Sequence, residues 1–255
     1  MLLLPPSEGK APGGDGPPWA HAARSFPRLD DARVAVRDAV RAVLAAGDEG
    51  ASGRLLGARG ATLERALADW DHLDDAPTMP AARRYSGVTW AALAPAELSP
   101  GARRALHDRV VIPSGLWGLL RAGDPIPAYR VKMGARVMPL GVLARHWRPL
   151  ITPHLAAAAD GGWVVDLLPE EHRAAIDTAG LGTARLVRVD LVATGPSGAA
   201  RAVGHAGKTL RGLLARLTRT HEAAQPRPWK MGDAPADHVD ALHEAVVGIE
   251  IPIAR

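Results

Sequence analysis

No cysteine occurs anywhere in the chain, which removes disulfides, thiolate nucleophiles and Cys-ligated zinc or iron–sulfur centres together. Long apolar runs are missing too, and no stretch approaches the eighteen or more uninterrupted apolar residues of a membrane span. The opening Met1-Leu2-Leu3-Leu4 is too short for a secretory signal and has no basic residues before it. A cytoplasmic protein without a membrane partner is the expectation. Histidine pairs at ligand spacing are lacking in the 141–160 stretch, where His146 and His154 stand eight apart rather than three to five. No metal is predicted, and no cofactor. Phe and Tyr are scarce, at one and two copies against seven Trp.

What remains is a chain of 255 residues, 47% hydrophobic, long enough to bury a substantial core. Its charge is uneven. Residues 101–154 carry nine Lys or Arg against two Asp or Glu, and residues 201–230 carry seven against one, within a mildly acidic background. If folding brings the two blocks together they form a groove suited to a polyanion; if not, they are separate solvated faces.

The segment that most resembles a site is 114–134, SGLWGLLRAGDPIPAYRVKMG, where glycines and prolines mix with Arg121, Arg130, Lys132, Trp117 and Tyr129. Before it, 109–112 reads as a short apolar strand that Pro113 closes, so 114–118 falls where a strand enters a turn. Leu116, Leu119 and Leu120 then suit a short helix, and 129–133 alternates as a second strand.

Elsewhere, Leu2-Leu3-Leu4 reads as a buried strand, followed by Pro5-Pro6 and by Ser7-Glu8-Gly9-Lys10. That loop is a plausible anion cradle of amides and one ammonium, without the spacing of a nucleotide-binding P-loop. Residues 30–46 form the clearest helix, with Val34, Ala35, Val40, Val43 and Leu44 as its apolar stripe. Two helical pieces within 48–76 meet at Gly57-Ala58-Arg59-Gly60. This is the pattern of a helix-hairpin-helix whose amides approach a phosphate, or an ordinary connection. Ser99 and Pro100 cap and start another helix. Residues 141–160 are helical in bias but interrupted by Pro149 and Pro153. A buried strand at 163–168 contains Asp166 and leads to Pro169, Glu170, Glu171 and His172, a strand-end polar cluster of the kind α/β proteins use for chemistry, or a pair of helix-capping glutamates. Paired strands at 184–193 and 201–204 flank a turn at 195–198. His205 and Lys208 then open a basic amphipathic helix that carries Arg211 outward, a second anion-site candidate. A loop at 225–230 and a strand at 246–253 complete the reading. One mixed α+β (α/β) domain over 1–255 is expected, with a central mixed sheet, flanking helices and the helical hairpin.

Taken together, Ser7-x-x-Lys10, Tyr85-x-Gly87, 114–118 with Leu120-Arg121, Asp124, Tyr129-Arg130, Met133-Gly134, His146-Trp147, Ile151-Thr152, Lys208 and Arg211-Gly212 resemble the YaaA family of peroxide stress resistance proteins, in the family's order. The resemblance implies a bacterial cytoplasmic protein with a compact mixed fold, a positively charged cleft and a helix-hairpin-helix. It also implies association with DNA and with lowering free iron under hydrogen peroxide. Relatives tend to have Ser and Tyr where this chain has Pro169 and His172, so a hydroxyl pair is missing and His172 is a candidate base.

Two functions follow as expectations. One is double-stranded DNA binding through phosphate contacts from Arg121, Arg130, Lys132, Lys208 and Arg211, with Gly57, Arg59 and Gly60 of the hairpin and His205 adding to the anion site. The other is an enzyme on a small anionic, phosphate-bearing or nucleobase-like ligand. There Ser7, Lys10, Ser114, Tyr129, Arg130 and Lys208 share a pocket, and Asp166, Glu170 or His172 supplies acid–base chemistry. A deep cavity favours the enzyme and an open channel favours DNA. A third, plainer option is a protein whose basic faces contact acidic partners.

Overall fold

A computed structural model describes residues 1–190, 192–194, 200–202 and 205–222, with side chains described up to 190 and over 207–216. In chain order its elements are β1 (Leu2–Leu3), α1 (Asp30–Ala45), α2 (Glu49–Leu56), α3 (Ala61–Asp71), β2 (Met79–Pro80), α4 (Ala81–Arg84), α5 (Val88–Leu93) and α6 (Pro100–Arg109). There follow β3 (Val110–Ser114), β4 (Gly118–Arg121), β5 (Pro125–Ile126), β6 (Arg136–Val137), β7 (Gly141–Val142) and α7 (Leu143–Ala159). The last are β8 (Trp163–Asp166), α8 (Glu170–Arg173), β9 (Arg185–Arg188), β10 (Val192–Thr194), β11 (Ala200–Ala202) and α9 (His205–Glu222).

The fold is mixed α/β. Its main sheet has the order β4-β3-β1-β8-β9, in which only β4 runs antiparallel to its neighbour. Central β1 pairs Leu2 with Val110 and Val165, and Leu3 with Val111 and Asp166. Leu2, Leu3, Leu4, Val110, Val111 and Ile112 are all buried. Strands covered on both faces read as unbroken apolar runs, as these do. Because β1, β3 and β8 are parallel, the chain that leaves each of them emerges at one common edge. The 4–10 loop, Ser114 and the 167–172 segment therefore gather there.

Several expectations change. Residues 114–121 form a β-hairpin rather than a helix, with Ser114 opposite Gly118 and Pro113 opposite Leu119. Gly118 makes the reversal at φ 68°, and a β-carbon there would lie 2.7 Å from the Trp147 ring. Pro113 continues β3 instead of closing it, because β1 ends at Leu3, opposite Val111, and leaves that flank of the strand unpaired beyond it. Residues 129–133 join no sheet; the Lys132 amide instead donates to Leu55 O at 3.2 Å.

The α1 stripe is rotated from the expected one. Arg33, Val36, Ala39 and Val40 are buried, and Val34 is 40% exposed. Arg33 faces inward because its guanidinium donates to Trp117 O at 2.9 Å and Leu119 O at 2.6 Å, satisfying carbonyls of the hairpin, while Asp30 pairs with it at 2.8 Å. Helix α7 runs unbroken through Pro149 and Pro153, anchored by buried Leu143, Trp147, Ile151 and Leu155 at four-residue intervals.

Ser99 caps α6 as expected, accepting from the Ala102 amide with Pro100 first in the helix. The 184–193 stretch divides into β9, parallel to β8, and β10, antiparallel to β11. The 195–198 turn, the 225–230 loop and the 246–253 strand lie outside the described residues. Helix α9 packs on α5 and α6.

Candidate functional site

Three loops meet at the carboxyl edge of the sheet, and each is pinned by specific bonds. The loop after β1 is fixed by Trp90 Nε1 donating to Pro5 O at 3.1 Å, by the Ser86 amide on Gly9 O at 3.2 Å and by the Ala11 amide on Arg84 O at 2.7 Å. Gly87 lets Ser7 in, since a β-carbon at 87 would sit 2.2 Å from Ser7 Oγ. The Tyr85-x-Gly87 motif is thus the clasp on the Ser7–Lys10 loop.

Ser114, fully buried at the end of β3, accepts from the Leu116 and Trp117 amides at 3.3 and 3.1 Å. With both acceptor positions filled, its own proton goes to Tyr129 Oη, 2.8 Å away. Tyr129 shares a second 2.8 Å bond with Tyr85. Burial pushes the Tyr129 phenol up to about 12 and Tyr85 well above the ordinary range. Both rings stay neutral and serve as a hydrogen-bonded wall.

Lys10 lies on that wall. Its Nζ is 4.3 Å from the Tyr129 ring centroid and 5.4 Å from that of Tyr85, and it donates to Ser7 O at 2.5 Å. Burial, then the Arg130 charge, draw its pKa down to about 7 against the pull of Glu8 and Asp69. A free amine is consequently abundant at neutral pH.

Two cavities share Pro6, Ser7, Glu8, Glu171 and His172 as a common wall. The smaller, about 50 Å³, is lined by Lys10, Tyr129, Arg130 and Lys132. The larger, about 370 Å³, is lined by Thr89, Trp90, Lys208 and Arg211. Among the described residues, two buried nitrogens in this surround have no hydrogen-bond partner, His172 Nδ1 and Arg211 Nε. Burial draws His172 down to about 4, over the opposing carboxylates of Glu171 and Glu8, so the imidazole is neutral near pH 7. Arg211 is lowered by burial and by the neighbouring Arg173 charge. The surround is not uniformly cationic: Glu8 and Glu171 face it as well.

A family model described as peroxide stress protein YaaA matches residues 1–233, including every segment that builds this edge. The chain belongs to the YaaA family. A UPF0246 protein of Streptomyces coelicolor is 35% identical over 98% of this chain and 91% of its own. One from Corynebacterium efficiens is 35% identical over 86% and 85%, and one from Corynebacterium glutamicum is 32% identical over 87% and 86%.

Of the expected site residues, Ser7, Lys10, Tyr129, Arg130, Lys132, His172, Lys208 and Arg211 line the paired cavities, with Ser114 directly behind Tyr129. Arg130 uses four of its five N–H groups, donating to Glu8 O, Glu8 Oε2, Leu56 O and Gly57 O, and so ties the end of α2 to the Ser7 loop. Others stand apart. Arg121 pairs opposite Val111, away from the edge, with its guanidinium 5.7 Å from the Phe26 ring. Asp166 is buried, bound to Arg173 Nε at 2.6 Å and to the Leu168 amide at 2.7 Å. Glu170 is exposed and pairs with Arg173 at 3.1 Å.

Gly57 and Gly60 take φ 63° and 50° between α2 and α3. Exposed Arg59 there lines a separate open concavity of about 690 Å³ with Gly57 and Lys132. His205 opens α9, with its side chain outside the described residues.

Sequence reasoning gave Tyr85, Glu8 and Asp69 no role at the site and took Glu171 only as part of the strand-end cluster. Tyr85 was signalled by its motif. Asp69, raised by burial and coupled to Lys10 and Arg84, lies in an acidic run that gave no hint of which carboxylate turns inward. Among the described residues, no group of three or more His, Asp or Glu is placed to hold a metal, and no helix is long and apolar enough to cross a membrane.

Proposed function

We propose that this chain is a peroxide-stress protein whose paired cavities bind a small anionic ligand, phosphate-bearing or nucleobase-like, on which it acts as an enzyme. The observation that carries this reading is the shared wall at Ser7 and His172, with Lys10, Tyr129 and Lys132 on one side and Lys208 and Arg211 on the other. Two basic blocks distant in sequence thereby line two cavities that share a wall. The larger cavity, about 370 Å³, has the size of a small-ligand site, a few hundred cubic ångströms, and not that of a channel admitting a duplex. Lys208 and Arg211 supply the countercharge, and neutral His172 a proton acceptor. Cytoplasmic location and a single domain over 1–255 belong to the same proposal, as does a role in limiting free iron.

The test is mass spectrometry of small molecules that copurify with the wild-type protein and with a Lys208→Ala/Arg211→Ala variant. A phosphate-bearing or nucleobase-like compound present in the first and lost in the second is the expected result. Retention of every bound compound by the variant overturns the reading.

A second reading, duplex DNA held through its phosphates, is favoured by exposed Arg59 and Lys132 around the open concavity beside the Gly57–Gly60 turn. It requires affinity that falls steeply with salt and a slope that flattens in Arg59→Ala/Lys132→Ala. Salt-independent binding removes it.

A further inference from the structure

The feature of the paired cavities that anion binding alone does not use is the chemical state of Lys10. An amine that merely neutralises a ligand is best left solvated and fully charged. Here the nitrogen is folded back against its own loop, donating to Ser7 O at 2.5 Å and lying 3.5 Å from Glu8 O, with the Tyr129 ring 4.3 Å away. Those two carbonyls take two of its hydrogens, and the same side chain lines the smaller cavity.

Among the described residues no carboxylate forms an ion pair with it. Glu8 pairs with Arg130 at 2.8 Å, and Asp69 acts on Lys10 only through space. The other groups around it are the neutral phenols of Tyr85 and Tyr129, neutral His172, and the cations Arg130 and Arg84, both of which disfavour an ammonium. The two carbonyls and the ring faces favour an ammonium; burial and the two cations oppose it and prevail.

We infer that Lys10 is an imine-forming nucleophile that captures the carbonyl of a short aldehyde or 2-oxo acid, with Lys132 of the same cavity holding the ligand's anionic group. This rests on the small-anion reading and adds, in the smaller cavity, a carbonyl-bearing class of ligand beside the phosphate-bearing or nucleobase-like one. The cavity, about 50 Å³, has room for a few waters and so for a compact carbonyl compound. In the step proposed, the Nζ lone pair adds to the carbonyl carbon and the carbonyl oxygen becomes a hydroxyl. That oxygen then leaves as water with the two amine hydrogens, and a C=N bond joins Lys10 to the ligand. Nothing is oxidised or reduced, and no further reactant is needed.

The chain holds four lysines, Lys10, Lys132, Lys208 and Lys230, so the adduct can be assigned by peptide mapping. Full-length protein is incubated with glyoxylate or pyruvate, reduced with borohydride and digested. At pH 7 the free-amine fraction of Lys10 is on the order of a thousandfold above that of an ordinary lysine. Its reduced adduct is therefore expected at about tenfold or more over each of the other three even after allowing for the lower nucleophilicity of a weaker base. Labelling should rise to half its plateau near pH 7 and vanish from position 10 in Lys10→Arg, whose fold is checked by circular dichroism. Equal labelling of all four lysines, or none, overturns the inference; since this result comes from the wild-type protein, misfolding of the variant cannot obscure it. Loss of the copurifying ligand in Lys208→Ala/Arg211→Ala without any adduct at Lys10 overturns the imine and leaves the small-anion reading standing.

Discussion

Replacing Lys10 with methionine keeps an unbranched chain against the Tyr129 ring and removes the amine, which isolates the cost of placing a cation there. In the folded protein burial and Arg130 draw the ammonium from its ordinary 10.5 to about 7. A base whose folded-state pKa is lowered is bound by fewer protons in the native than in the unfolded chain over that window. Stability is therefore lowest below pH 7 and rises with pH until the unfolded value near 10.5 is reached. Each unit of displacement is worth about 1.4 kcal/mol, so the wild-type protein should gain about 2 kcal/mol between pH 7 and pH 9 that Lys10→Met does not. Urea unfolding of both proteins at the two pH values, taken as a difference of differences, cancels the other groups that titrate in the range. Parallel pH profiles would refute the reasoning, since they would mean that Lys10 keeps an ordinary affinity for its proton.

Two carboxylates of the strand-end cluster should behave oppositely. Asp166→Asn leaves buried Arg173 without its main partner and is expected to cost roughly 3–5 kcal/mol in chemical denaturation. Glu170→Gln, at an exposed pair, should change stability by less than about 1 kcal/mol. Tyr129→Phe strands the buried Ser114 hydroxyl and should cost about 1–3 kcal/mol. Its combination with Tyr85→Phe should fall short of the sum by about 0.5 kcal/mol or more, as measured by thermal or urea unfolding, and strict additivity would break the proposed hydroxyl chain.

Much of the edge was legible from residues alone, because covered parallel strands leave continuous apolar runs. Most of Leu2-Leu3-Leu4, 109–112 and 163–168 took its place in the sheet, as Leu2–Leu3, 110–112 and Trp163–Asp166, and the Ser99 cap was readable from its side chain and the proline after it. The order of the strands was not readable, since nothing in Leu2-Leu3 names Val110 and Val165 as its neighbours. Leu116, Leu119 and Leu120 have the spacing of a helix, but both faces of the hairpin are buried and period then loses its meaning. Arg33 stands outside the expected apolar stripe, because its acceptors, the carbonyls of Trp117 and Leu119, belong to a β-hairpin some eighty residues away. Pro149 and Pro153 were weighed as breakers by local rule, and the four-residue anchoring of α7 overrode them. In the site, cations and loops could be picked by composition. Which carboxylates would turn toward Lys10 depended on helix rotation, and Asp69 was invisible for that reason.

Gly212 on α9 carries only a hydrogen where a methyl would come within 2.2 Å of Thr89 O on α5. The bank of the larger cavity that bears Lys208 and Arg211 is therefore mounted at a distance gauged by a single missing carbon. Any heavier residue at 212 must act as a wedge, parting the jaws by the amount needed to clear that oxygen, and the two cations would swing away from His172 while every residue that touches a ligand stayed the same. Variation in grip among related proteins can accordingly be written at a position that meets no ligand at all.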